Sequence, residues 1–342
     1  MNSPSYNSLK LISKKLGVSP TTVSRVLSGQ AQKYRISPET EKAIKDFAAK
    51  ENFTPNPIAK GLRLKKTLTI GLVIPDIANP FFAGIASQVV NVARAHGYAI
   101  VLCDSEENPA LEKQSVDLLW ARRVDGMILC PVGQTSDHLA RYAREKRPLV
   151  LVDRVFPDLG LACVSTDNFN GAKTATEYLL DNGHRRIACL QGMPGTAPGQ
   201  ARVSGYTAAL RARNVPFDPR LVAGDSFGEQ SGYLDTKLLI QAAPDITAIF
   251  AMSNLLALGA LRALGEENRR VPADVSVIAF DDQPYLAHLA PPLTTVAQPH
   301  LEMGAAAVKL LLDQMRSPAN ALRSGLLLPT SLIIRKSVQK IN

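Results

Sequence analysis

Three short amphipathic segments open the chain. In "SLKLISKKLG", residues 8–17, Leu9, Ile12 and Leu16 recur at the three-and-four spacing of a helix face, with Ser8 placed to cap it and Gly17 to break it. The next segment, "VSPTTVSRVLSG" at 18–29, has Ser19 as a cap, Pro20 in the first turn and Gly29 at the end. Val23, Val26 and Leu27 form its inward stripe, which leaves Thr21, Thr22, Ser24 and Arg25 on the outer face or its edges. A third stripe, Ala43, Ile44, Phe47 and Ala48, follows a cap at Ser37 in "SPETEKAIKDFAAKENF". Two short helices joined by about four residues that include a glycine make a helix-turn-helix. Residues 1–52 are therefore expected to form a small all-α domain. Pattern alone leaves two uses for it, reading DNA or serving as a helical dimerisation or capping subdomain.

From Thr69 onward the pattern changes. Short apolar runs ("TIGLVIPD", "YAIVLCD", "GMILCPV", "PLVLVDR") alternate with helical stretches such as "PFFAGIASQVVNVARAHG", and the scheme repeats with "RIACLQG", "AIFAMSN" and "VSVIAFDD". Such alternation predicts parallel sheets covered by helices, with ligands held at the carboxyl ends of the strands. Polar residues gather at those ends: Asp76, Asp104, Asp153 with Arg154, Ser253 with Asn254, and Asp281 with Asp282. Each has two readings, a ligand contact or the cap of the following helix. Two such halves, the first ending near Asp167, suggest a bilobed binder with a cleft between its lobes.

Residues 53–67, "FTPNPIAKGLRLKKT", lie between these regions. Asn56 and Pro57 are a cap and first-turn pair, and "PIAKGL" completes about two helical turns, too few to be stable alone in water. The segment is either a plain linker or an element that folds only against a partner. In the second case Leu62, an apolar tip among Lys60, Arg63, Lys65 and Lys66, suits insertion between base steps in a minor groove.

Charge narrows the choice for the first domain. The chain carries 39 Lys and Arg against 30 Asp and Glu, but residues 1–66 hold 13 basic and 4 acidic residues, leaving 26 of each for the rest. The whole net charge of +9 thus sits in the first fifth of the chain. That asymmetry suits a module that displaces counterions from phosphates; a membrane-surface role lacks the long apolar-faced helix it needs. The 342 residues, 46% of them hydrophobic, leave room for two or three domains with proper cores. Cys103, Cys130, Cys163 and Cys189 stand singly in apolar runs, as reduced buried cysteines of a cytosolic protein do. No signal peptide or membrane-length apolar run is evident, so a cytoplasmic, membrane-free protein is expected.

In these stretches the chain resembles the LacI/GalR family of bacterial transcription regulators, along essentially its full length. The resemblance rests on "VSPTTVSRVLSG", "TPNPIAKGL", "IGLVIPDIANPFF", "VDGMIL", "VSTDNFNGA", "GHRRIACLQG", "ARVSGYTAAL", "SNLLALGALRAL", "SVIAFDD" and "PPLTTVAQP", in order and at family spacing. It implies an N-terminal all-α helix-turn-helix domain (1–52), a hinge helix and linker (53–67), and a bilobed α/β core (68–342) like the periplasmic binding proteins. The core then has two doubly wound parallel-sheet lobes, the first spanning about 68–166 and 298–326, the second about 167–297 and 327–342, so that "SLIIRK" finishes the second. It also implies roles: Thr21, Thr22 and Arg25 meet base edges, and Leu62 wedges into the minor groove of an operator. In the cleft, Phe82 and Phe227 form apolar and aromatic walls, Asp153, Arg202 and Asp281 grip a small effector, and Gln298 sits at the lobe crossover. An Asp and an Arg facing aromatic walls suit a hydroxyl-rich ring, which favours a sugar or sugar phosphate over the purines that also occur in the family.

The sequence departs from that pattern at Pro20 and in the long loop "GQAQKYRIS", so the operator bases do not transfer from a relative. With no leucine-repeat tail before Asn342, the resemblance implies a homodimer. Neither operator, effector identity nor sign of regulation is legible. Two rival readings remain. "GDSFG" at 224–228 fits G-x-S-x-G, with Ser226, Asp281 and His300 in α/β-hydrolase order; a solute receptor for transport is opposed by the basic N-terminal region. There is no Walker A or G-x-G-x-x-G run, and the five histidines show no metal-ligand spacing, so neither cofactor nor metal is expected.

Overall fold

A computed structural model describes residues 9–51, 66–317 and 325–341, which fall into two compact units, the chain dividing between Thr67 and Leu68. The first contains helices α1 (Leu9–Leu16), α2 (Pro20–Leu27) and α3 (Pro38–Lys50), packed around Ile12, Val23, Val26, Ala31, Ile44 and Ala48. Ala43, expected in the third stripe, is exposed. One residue before Ile44 on a helix points about 100° away from it, and Ile44, Ala48 and half-buried Phe47 already fill the face.

The ends of α2 show how locally the sequence sets this unit. Ser19 Oγ accepts the amide of Thr22 at 3.0 Å, and Pro20 occupies the first turn, where its missing donor leaves no orphan. At the other end Gly29 adopts φ +69°, and the amides of Gly29 and Gln30 donate to Val26 O and Arg25 O, both at 2.9 Å. That two-bond closure needs a left-handed residue, which favours glycine. Ser37 caps α3 through the amide of Thr40. The expected cap at Ser8 and the hinge around Leu62 lie outside the described residues.

The second unit holds two six-stranded sheets. In the first lobe run β1 (Thr69–Ile74), α4 (Pro80–Ala95), β2 (Ala99–Asp104), α5 (Pro109–Ala121), β3 (Gly126–Leu129), α6 (Asp137–Arg144), β4 (Leu149–Val152) and β5 (Ala162–Thr166). The second lobe contains α7 (Asn168–Asp181), β6 (Ile187–Leu190), α8 (Ala197–Ala212), β7 (Val222–Ala223), α9 (Glu229–Ala242), β8 (Ala248–Ala251), α10 (Asn254–Glu266), β9 (Ser276–Phe280) and β10 (Thr294–Ala297). Helix α11 (His300–Arg316) and strand β11 (Gly325–Leu328) follow, then β12 (Ser331–Ile333).

The sheet orders are β11-β5-β4-β3-β1-β2 and β12-β10-β9-β8-β6-β7, two copies of one doubly wound pattern. Every pairing in the first sheet is parallel; in the second, β12 runs antiparallel to β10. The expected doubly wound parallel lobes are present, with β12 an antiparallel edge strand: β11 and β12 belong to different sheets, and only Pro329 and Thr330 separate them. The chain therefore crosses straight into the second sheet at the end where its parallel strands finish, and runs against them.

The chain passes between lobes after β5, after β10 and after β11. Helix α11 places Met303, Val308 and Leu311 in the core of the first lobe, beside Ile70, Leu72 and Val150. The last crossing follows Leu328, since β11 keeps register with β5 through Leu328 opposite Thr166. Both faces of the first sheet are covered: Ile70, Leu72 and Ile74 pack on one side, Val73, Met127 and Leu129 on the other. This is why these strands read as continuous apolar runs.

Candidate functional site

Asp153 follows β4 and Asp281 follows β9, equivalent places in the two lobes. Both have left-handed backbones, φ 68° and 71°, and both amides donate at 2.9 Å to the neighbouring strand, to Val164 O and Val296 O. Asp tolerates this conformation better than most residues, and it turns the side chain out of line with the strand. Each aspartate is only 5% exposed. Burial pushes the Asp153 carboxyl up to about 6, against the pull of Arg202 and Arg154. Burial also raises Asp281, opposed by Arg202 and by the side-chain amide of Gln298.

Gln298 ties the lobes together at the crossover. Its amide donates to Asp281 Oδ1 in the second lobe, and its oxygen accepts the hydroxyl of Thr166 at the end of β5 in the first. Arg202, on α8, is fixed from behind: Nε donates to Asn168 Oδ1 at 2.7 Å, an Nη to Met252 O at 2.6 Å, and the guanidinium lies 3.8 Å from the centre of the Phe280 ring. Phe82 meets Phe81 edge to face with centroids 5.1 Å apart. Phe227 rests on Gly192, where a β-carbon would come within 1.8 Å of the ring, so its seat depends on that glycine.

Phe82, Asp153, Arg202, Phe227, Asp281 and Gln298 line one narrow cleft between the lobes. Arg154 and Ser253, read at the strand ends as ligand contacts or caps, line it too, as do Asn79, Phe81, Glu107 and Pro198, which sequence reasoning missed. Arg154 makes a bidentate pair with Glu107, both bonds 2.7 Å, donates to Val132 O at 3.1 Å, and faces the Phe227 ring of the other lobe at 5.3 Å. Its position beside Asp153 was the available signal.

On α2, Thr21 is exposed, while Thr22 is half-buried with its hydroxyl 2.9 Å from that of Ser19. The Arg25 guanidinium stacks 3.8 Å from the ring centre of Tyr34, a residue of the long loop that sequence reasoning did not single out.

Residues 8–56 match the model of bacterial regulatory proteins of the lacI family, and residues 176–338 match the periplasmic binding protein-like domain. The chain is 32% identical over 333 residues to the HTH-type transcriptional repressor CytR of Escherichia coli strain K12, covering 97% of this chain and 96% of that protein. The chain belongs to the lacI family of bacterial regulatory proteins. Two solved structures of the family extend over 98% of its length. One is the lac repressor dimer bound to operator and the anti-inducer ONPF (27% identical, TM-score 0.87); the other is the transcriptional regulator CelR in complex with cellobiose (33%, TM-score 0.74). Each is covered in full.

As a lacI-family protein the chain is a DNA-binding transcription regulator whose bilobed unit carries the effector cleft. The remaining strand-end residues have partners within the protein, and Ser253 also lines the cleft. Asp76 and Asp104 accept amides in their own turns, Ser253 caps α10 through the Leu256 amide, and Asp282 pairs with Arg335 at 2.7 Å. Ser226 Oγ accepts the Gly228 amide at 3.2 Å, and His300 packs edge-on against Phe81 in the first lobe. "GDSFG" is thus a strand-to-helix turn leading into α9. Of the four cysteines Cys130 and Cys189 are buried, but Cys103 and Cys163 are half-buried, correcting the expectation for those two. Among the described residues no helix is long and apolar enough to cross a membrane, and no cluster of ligating side chains is suited to a metal.

Proposed function

We propose that this regulator binds a pseudo-palindromic operator as a homodimer and that a polyhydroxylated effector, a sugar or sugar phosphate, in the interlobe cleft sets its affinity. The observation that carries this reading is the convergence of Asp153, Arg202 and Asp281, drawn from both lobes and all at least nine-tenths buried, between the rings of Phe82 and Phe227. Charged groups give bidentate hydroxyl bonds and rings stack on sugar faces. The sugar in the CelR complex supports the class. No catalytic step is assigned to the chain. On the DNA side Arg25, released from Tyr34, reads a guanine edge in the major groove, Thr21 and Thr22 contact neighbouring bases, and Leu62 of each hinge opens a central step.

The experiment is a thermal-shift titration of the full chain with ribose, cellobiose, glucose and glucose 6-phosphate. Arg202→Lys and Asp281→Asn serve as site variants; Lys keeps the charge where Ala would strip Asn168 and Met252 of a donor. A ligand that raises the midpoint of the wild type and not of the variants supports the reading. Equal shifts in all three proteins place the ligand elsewhere.

A further inference from the structure

Building on the cleft as effector site, we infer that its ligand is uncharged, and that Glu107 is the residue that excludes phosphorylated relatives of that ligand. Five charged side chains line the cleft: Arg154 and Arg202 against Glu107, Asp153 and Asp281. Three carboxylates outnumber two guanidinium groups before any ligand enters. A phosphate adds further negative charge to a desolvated site that is already net anionic, where like charges are costly.

One of the two guanidinium groups is already clamped. Glu107 Oε1 and Oε2 each accept from Arg154 at 2.7 Å, the fork geometry a phosphate would otherwise take. The clamp is built into the backbone. Glu106 and Glu107 both have left-handed φ, 50° and 51°, in the turn after β2, and the Glu107 amide is held by Pro75 O at 2.8 Å. Two consecutive non-glycine residues in that region are an unusual arrangement, and here it sets the carboxylate against Arg154.

Two buried atoms point to a hydroxyl-bearing ligand. Asp153 Oδ1 and Arg154 Nε, on adjacent residues that line the cleft, have no hydrogen-bond partner. One accepts and the other donates. Hydroxyls can answer both kinds of atom, as donor to one and acceptor from the other, so a polyol, a free sugar or the sugar part of a nucleoside suits the site. Exclusion of the phosphate ester rests on the excess of carboxylates and on the Glu107–Arg154 pair.

The test is isothermal titration of the full chain with matched pairs: ribose and ribose 5-phosphate, glucose and glucose 6-phosphate, adenosine and AMP. In wild type, the neutral member of the pair that binds is expected to be tighter by at least about tenfold, a ratio that Glu107→Gln narrows. In parallel, inorganic phosphate at matched ionic strength should raise the melting midpoint of Glu107→Gln beyond that of wild type. The double variant Glu107→Gln, Arg154→Gln should lose that gain. Tighter binding of a phosphorylated member by wild type, weakened by Arg202→Lys, overturns the inference. If Arg202→Lys leaves binding unchanged, the cleft is not the site and the underlying reading falls with the inference.

Discussion

Asp153 gives the cleft its pH dependence. Its carboxyl is raised to about 6 by burial, with Arg202, Arg154, Asp281 and Glu107 as the charges around it. A raised carboxyl binds its proton more tightly in the folded than in the unfolded chain. The associated stabilisation is fully present below the ordinary carboxylate range, declines as pH rises from there, and is lost above about 6. Asp153→Asn removes the cost of holding a buried charge, so the ligand-free variant should unfold at higher temperature than wild type at about pH 8. The difference should be on the order of 2–3 kcal/mol, shrinking below about pH 5. Scanning calorimetry at both pH values checks this; a variant no more stable than wild type at the higher pH contradicts it. Asp153 and Asp281 were legible because each closes a buried apolar run. Glu107 was not, because its partner lies 47 positions away and a carboxylate in a polar turn reads as solvated surface.

Elements were more legible than contacts between them. Caps and breakers are written within a few residues, so Ser19, Pro20 and Gly29 mark α2 from the chain alone. Substituting Ser19→Ala should cost about 1 kcal/mol in the first unit by orphaning the Thr22 amide. It should also free the Thr22 hydroxyl, 2.9 Å from Ser19 Oγ, to turn toward solvent. Chemical denaturation of the full chain, followed by proton resonances of residues in the first unit, reads that loss; an unchanged midpoint means the cap is idle. Glu112 shows the opposite case. It sits in the first turn of α5, where an acid normally faces water, yet it is fully buried, accepting the Val132 amide and bonding His138 Nε2, both at 2.6 Å. Those partners belong to a loop and a helix 20 and 26 positions on, and no local periodicity announces them. The antiparallel direction of β12 was hidden for a similar reason, since it depends on the end at which the chain enters the second sheet and not on side-chain pattern.

At the scale of the whole molecule, the positive charge and the effector cleft occupy different units. All of the net +9 lies within residues 1–66, so DNA affinity should fall steeply with salt, by about 0.9 log units per log unit of salt for each phosphate neutralised. Fluorescence anisotropy on duplex DNA from about 50 to 200 mM salt gives the slope, and a slope near zero would remove the first unit from the interface. The cleft acts on that affinity only if its ligand prefers one arrangement of the lobes. Contacts that span the lobes make such a preference possible: Thr166 to Gln298 to Asp281 at the crossover, Gln134 Nε2 to Pro194 O at 2.6 Å, and Arg154 over Phe227. The most direct measurement is a titration of operator binding, on a duplex selected from a random library, with the ligand that shifts melting, in wild type and Asp281→Asn. The account predicts a change of about 5–150-fold in wild-type operator affinity and almost none in the variant. An equal response in both proteins, or no response in wild type with the cleft saturated, would contradict it.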